Sequence, residues 1–137
     1  MSKIFETHVD DLQFFFVYIR EAHPIDGPRP NKQFNVKDPK TNDERRELAL
    51  KFVKDFELDI PVLLDEIDDK TSTAYAALPD RLFLVGEDGK IAYAGEKGPR
   101  GFDPDELTAA IKGLSSSGSR SSDPSEQAGK PTRPNNR

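Results

Sequence analysis

The 137 residues contain no cysteine, no tryptophan, one methionine and only two histidines. Without cysteine there is no disulfide, no thiolate metal ligand and no thiol nucleophile. His8 and His23 are too few for a histidine-rich centre, so no metal site is expected. No apolar run approaches the roughly 18 residues that cross a bilayer, and no membrane contact is expected. No signal-peptide pattern opens the chain, which gives a cytoplasmic reading. Strong positive charge is lacking too. The chain is net −5, and residues 115–137 are net +2, which leaves −7 on residues 1–114. That acidity argues against a nucleic-acid surface.

What is present is unevenly spread. Residues 115–137 read "SSSGSRSSDPSEQAGKPTRPNNR" and hold nothing larger and more apolar than Ala128. Such a segment buries too little surface to offset the entropy of ordering it, so a disordered tail is expected there. Residues 1–114 are left as one domain. Within it, Ile4, Phe5, His8 and Leu12 fall at helical spacing. Phe14 to Ile19 is an unbroken apolar and aromatic run, the pattern of a parallel strand covered on both faces. Residues 20–40 hold Pro24, Pro28, Pro30 and Pro39 and predict a long loop of the kind that carries function.

Thr41 and Glu44 stand in capping-box spacing ahead of a helix to about Phe56, with Leu48, Phe52, Val53 and Phe56 inward. Ile60 to Leu64 predicts a strand whose Pro61 favours a sheet edge. A short helix over residues 68–77 leads to Leu78-Pro79. Arg81 to Val85 and Ile91 to Ala94 flank the turn Glu87-Asp88-Gly89-Lys90 as a hairpin. Asp103-Pro104 opens a closing helix with Leu107, Ala110, Ile111 and Leu114 on its inner face. The predicted order is α-β-α-β-α-β-β-α.

Two residues invite chemistry on position alone. His23 follows a predicted parallel strand, where loops at strand ends build sites in α/β sheets, and its imidazole suits proton exchange. Read without other information, it is more readily a solvated loop histidine held by Pro24. Arg81 begins a strand, where its guanidinium suits a carboxylate, or else pairs at the surface with Asp80 or Glu87. The carboxylates Asp65, Glu66, Asp68 and Asp69 suit the start of a helix without any metal.

Three stretches together resemble the iodothyronine deiodinase family: "FVYIREAHPIDG" (Phe16–Gly27), "YAALPDRLFLV" (Tyr75–Val85) and "GKIAYAGEKGPRGFDPDEL" (Gly89–Leu107). The resemblance implies an α/β, thioredoxin-like fold, a mixed sheet with a C-terminal β-hairpin and closing helix. It implies reductive dehalogenation of a small halogenated phenolic substrate by a selenol or thiol nucleophile. No bound cofactor is implied, and an external thiol reductant is. By the same resemblance Glu21 and His23 are catalytic and handle protons, His23 and Arg81 bind substrate, and Pro79 matches the cis-proline beside the nucleophile. Ile25 and Pro28 depart from the serine and tryptophan usual in that loop, and no second histidine stands near Pro39. These departures leave thyroid-hormone specificity open beside another halogenated or peroxidic substrate.

In that family a strand and a nucleophile loop precede the helix with which this sequence opens. Selenocysteine is encoded by a codon otherwise read as stop, so a frame opened at the next methionine would begin as this one does. The expectation is a thioredoxin-like fold that is N-terminally truncated, with two facing strand edges left open to self-association. The alternatives are a non-catalytic thioredoxin-like binding module and a general redoxin of the peroxidase or disulfide-reductase kind.

Overall fold

The computed structural model describes residues 2–118, with side chains described from residue 3 to 116. The elements follow the expected order: α1 (Ser2–His8), β1 (Phe16–Tyr18), α2 (Asn42–Asp55), β2 (Val62–Leu64), α3 (Lys70–Ala74), β3 (Phe83–Val85), β4 (Ile91–Ala94) and α4 (Pro104–Gly118). The helix α4 runs past residue 114, so the expected domain limit falls inside it. The rest of the expected tail, residues 119–137, lies outside the described residues.

Local chemistry sets the boundaries. The Thr41 hydroxyl accepts from the Glu44 backbone N–H at 3.2 Å. Glu44 returns its carboxylate to the backbone N–H of Lys40 at 2.6 Å, one residue ahead of the cap. The first bond satisfies one of the orphan donors that every helix start leaves, and the second ties down the residue ahead of the cap. In the hairpin, Gly86 N–H donates to Lys90 O at 2.9 Å, and Gly89 turns the chain with φ +76°, a conformation that glycine takes without steric cost.

The strands form two separate ladders. β1 pairs in parallel with β2, Val17 opposite Leu63, and β3 pairs antiparallel with β4 around a bulge at Leu84/Val85. Among the described residues β1 and β3 have one partner strand each. As the proline predicted, β2 is an edge.

The apolar core sits on the second ladder. Leu84 of β3 meets Leu107 and Ile111 of α4, and Ile4, Leu12, Leu82, Tyr93 and Ala110 pack around them. Full burial of each such side chain contributes about 1.5–3 kcal/mol. Ile4 and Leu12 carry the N-terminal segment onto this C-terminal half, and Phe5 meets Phe14 edge to face at 5.5 Å between ring centres.

The inner faces differ in detail from the periodicity. In α2 the fully buried positions are Arg45 and Ala49, whereas Phe56 is 55% exposed. Phe56 is the C-cap residue and its ring borders an open cleft. Leu114, on the last inward turn of α4, is also largely exposed, because the β3–β4 core ends at Ile111.

Candidate functional site

A cleft of about 360 Å³ runs along β1. Phe16 to Ala22 forms one wall, α2 contributes Leu48, Phe52 and Phe56, and Pro79 reaches in from the loop before β3. The alternation of β1 turns Phe16 and Tyr18 toward α2. There Phe52 stands 6.3 Å from Phe16, 5.6 Å from Tyr18 and 4.9 Å from Phe56 between ring centres. With Phe34, five rings line the space, which is polar at the Arg20–Glu21 end and again where Lys51 and Asp55 of α2 pair. Such a surface suits a flat aromatic ligand.

At the Arg20–Glu21 end the Tyr18 hydroxyl donates to Glu21 Oε1. Burial pushes the Tyr18 phenol well above its ordinary range, the hydrogen bond to Glu21 and that carboxylate's charge add to the effect, and Arg45 opposes it. The phenol thus keeps its proton and holds Glu21 in place as an acceptor.

His23 lies two residues further along an exposed loop. Its Nδ1 is 3.0 Å from the Arg29 carbonyl, and a carbonyl only accepts. Nδ1 therefore carries the proton, and the Nε2 lone pair remains to accept one. The loop is held by Ile25 N–H to Val36 O at 2.8 Å and Asn31 N–H to His23 O at 3.0 Å. Asp26 Oδ1 accepts from Asp38 N–H at 2.9 Å, which lowers the Asp26 carboxyl below its usual range.

Arg81 is engaged within the fold. Its Nε donates to Gly95 O at 2.6 Å and its Nη1 to Tyr75 O at 3.1 Å, with the guanidinium 5.1 Å from the Phe83 ring centre. Its contacts are carbonyls and a ring rather than the carboxylates of Asp80 or Glu87. It ties the end of the hairpin to the end of α3. The Leu78–Pro79 peptide bond is cis.

Of the four sequence-derived residues, the structure brings Glu21 and Pro79 to the cleft. His23 and Arg81 are not in its lining; His23 directly follows the lining residue Ala22, and Arg81 comes two residues after Pro79. Tyr18 was not singled out, although the spacing Tyr18-x-x-Glu21 across a strand end offered the signal.

Arg45 was also passed over. It falls on the same helix face as Leu48, Ala49 and Phe52, where an arginine needs a buried partner. That partner set is the acidic stretch. Asp65 accepts from the N–H groups of Thr71 at 3.0 Å and Ser72 at 2.8 Å, and Asp69 lies 2.9 Å from Arg45.

The order of elements and the cis-proline beside a strand-end cleft define an α/β, thioredoxin-like protein. The family model for iodothyronine deiodinase matches residues 1–114, and the chain belongs to that family. It is 39% identical over 103 residues to type II iodothyronine deiodinase of Neoceratodus forsteri, covering 71% of this chain and 38% of the relative. It is 33% identical over 99 residues to type I iodothyronine deiodinase of Xenopus laevis, covering 72% of this chain and 38% of the relative. Thyroxine 5-deiodinase of Gallus gallus is 33% identical over 100 residues, with the same shares. The chain thus spans about two fifths of the length of these curated relatives. No helix among the described residues is long and apolar enough to cross a membrane.

Proposed function

We propose that this chain carries the substrate side of a reductive dehalogenase acting on a small iodinated phenol. The selenol or thiol nucleophile, and an external thiol reductant, come from outside these 137 residues. The observation that carries the reading is the cleft along β1. Two of the three segments bearing the family resemblance, Phe16–Gly27 and Tyr75–Val85, meet there through Glu21 and Pro79. A ring of the substrate lies against Phe16, Tyr18 and Phe52, with its phenolic end toward Glu21.

The overall change replaces a carbon–iodine bond by carbon–hydrogen and releases iodide. Two thiols supply the electrons by forming a disulfide, so a soft, reoxidisable nucleophile is required. Glu21, oriented by Tyr18, and the Nε2 of His23 handle the proton delivered to the ring carbon. Arg81 meets the substrate's anionic end once its guanidinium turns from the Gly95 carbonyl. The open edges of β1 and β3 fit either a further strand of the same protein or a second copy of this chain.

A second reading, binding without turnover, has one observation in its favour: the sequence holds no cysteine. The codons upstream of Met1 separate the two. An in-frame TGA or cysteine codon roughly ten to fifteen codons upstream, behind codons for an apolar strand of about 5–6 residues, is expected. A protein extended through that codon should release iodide from an iodophenol with a thiol reductant, and Glu21→Gln should slow it by about 10²-fold. An extended protein that binds the iodophenol without releasing iodide would favour the binding module.

A further inference from the structure

One stretch of exposed surface runs against the charge of the domain around it. Residues 1–114 are net −7, yet residues 27–37, "GPRPNKQFNVK", hold Arg29, Lys32 and Lys37 and no carboxylate, so the rest of the domain is net −10. All three cations are exposed, and among the described residues none has a carboxylate at ion-pair distance. Asp26 and Asp38 bound the stretch. Asp38 pairs with Lys40 at 3.3 Å, and Asp26 accepts from Asp38 N–H at 2.9 Å. With these residues included, 26–40 is still net +2.

The backbone holds the stretch out as a projection. Asn31 N–H donates to His23 O at 3.0 Å and Ile25 N–H to Val36 O at 2.8 Å, while the Asn31 side chain accepts from Gln33 N–H at 2.9 Å. Beyond these anchors Asn35 takes φ +49°, a left-handed conformation that asparagine tolerates. Phe34 beside it is 58% exposed, the most exposed aromatic ring among the described residues. The same ring borders the cleft along β1. Whatever packs on Phe34 therefore sits at the mouth of that cleft.

A proud aromatic ring among unpaired cations has the composition of an interface anchor with a charged rim. The charges select the partner. A compact acidic protein is repelled by the −10 remainder and drawn to this stretch, which orients it on approach. A nucleic acid or an anionic membrane presents a long, evenly charged surface and meets the acidic surroundings as well. The position selects further, because the proposed dehalogenation needs two thiols brought to the cleft from outside.

We propose that residues 27–37 dock a small acidic protein carrying a dithiol, the reductant that serves the cleft. What the partner delivers rests on the dehalogenase reading; where it docks rests on the surface alone. Phe34 enters an apolar pocket of the partner, and Arg29, Lys32 and Lys37 meet carboxylates around it. In the exchange the two thiols give up two electrons and two protons and close a disulfide. The electrons and one proton turn carbon–iodine into carbon–hydrogen and iodide, and the second proton goes to solvent.

The test titrates the isotope-labelled 137-residue chain with unlabelled, reduced, acidic thioredoxin as the probe, read by NMR at low salt. Amide resonances of residues 27–37 should shift saturably, and raising the ionic strength to about 0.15 M should weaken binding severalfold. Joint replacement Arg29→Gln, Lys32→Gln and Lys37→Gln should weaken it about tenfold. Phe34→Ser should weaken it about fivefold to thirtyfold. All four side chains are exposed, so spectra elsewhere in the chain should be unchanged in the variants. In a separate sample, iodophenol should shift the cleft resonances of Tyr18 and Phe52. Iodophenol shifts without a saturable thioredoxin shift would overturn the docking and leave the dehalogenase reading standing. Thioredoxin binding at 27–37 without iodophenol binding would support the docking and remove the reading of the cleft. Shifts centred elsewhere, binding unchanged in both variants, or tighter binding of an RNA oligonucleotide or an anionic vesicle at the same residues would overturn the proposal.

Discussion

The two ladders are stabilised in different ways. The β3–β4 hairpin and α4 share a conventional apolar core, Leu84, Leu107 and Ile111, and even the N-terminal residues Ile4 and Leu12 dock there. The β1–β2 ladder and α2 bury only Ala49 and Ile60 among their apolar residues, and their most buried large side chain is Arg45. Their aromatic residues surround a cleft rather than fill a core. On the outer face of the same ladder Val17 and Leu63, directly paired, are 42% and 49% exposed. The half with the cleft has given up apolar burial for a ligand-sized space, and a polar network substitutes. The contrast separates the two halves of this fold: a core on one ladder, a ligand-sized cleft on the other.

Mutations sharpen that contrast. Arg45→Ala should cost the most, about 3 kcal/mol, because it strands the Asp65 and Glu66 carbonyls and leaves Asp69 without its closest cation. Chemical denaturation checks it, and NMR should show the losses concentrated in α2, β2 and α3. Ile111→Ala should cost roughly 2–3 kcal/mol through the cavity it leaves beside Leu84 and Leu107, with cleft resonances unmoved. The two share no partners, so the double variant should be additive within about 0.5 kcal/mol. Strong coupling between them would erase the distinction between the ladders.

Thr41→Ala should cost about 1 kcal/mol by removing the cap of α2, a loss read from the thermal midpoint. The smallest effect is alkaline. Tyr18 is raised above its unfolded value near 10, so its contribution is fully present below that pH and is lost as pH rises through the folded value. Tyr18→Phe should flatten the fall in stability above about pH 10. Tyr93, raised by burial and by its hydrogen bond to Glu106, continues to titrate late in that variant.

Element order was legible because each boundary had its own local chemistry: Thr41 with Glu44, Gly89 in its turn, Pro104 at a helix start. Element length was less so. The apolar run Phe14–Ile19 yields only a three-residue strand, since β2 offers pairing from Val62 to Leu64 alone. Leu114 and Phe56 carried the right periodicity but stay 37% and 55% exposed, which one chain's spacing does not disclose. Glu21 and Pro79 were expected at a site from the family resemblance, and the structure brings both to the cleft. The engagement of Arg81 by carbonyls from residues 75 and 95 depends on tertiary approach, and so does the burial of Arg45 against the acidic stretch. Periodicity marks which face is inward and says little about what waits there.

In the proposed division of labour this chain holds the ring and handles protons, and the redox atom lies elsewhere. Iodide release from an iodophenol, measured for the purified 137-residue protein with excess thiol reductant, tests it most directly. The rate should equal that of buffer with reductant alone, because the sequence has no cysteine and the methionine thioether has no ionisable proton. Release above that rate, abolished by Glu21→Gln, would contradict the division and show a complete catalyst within these residues.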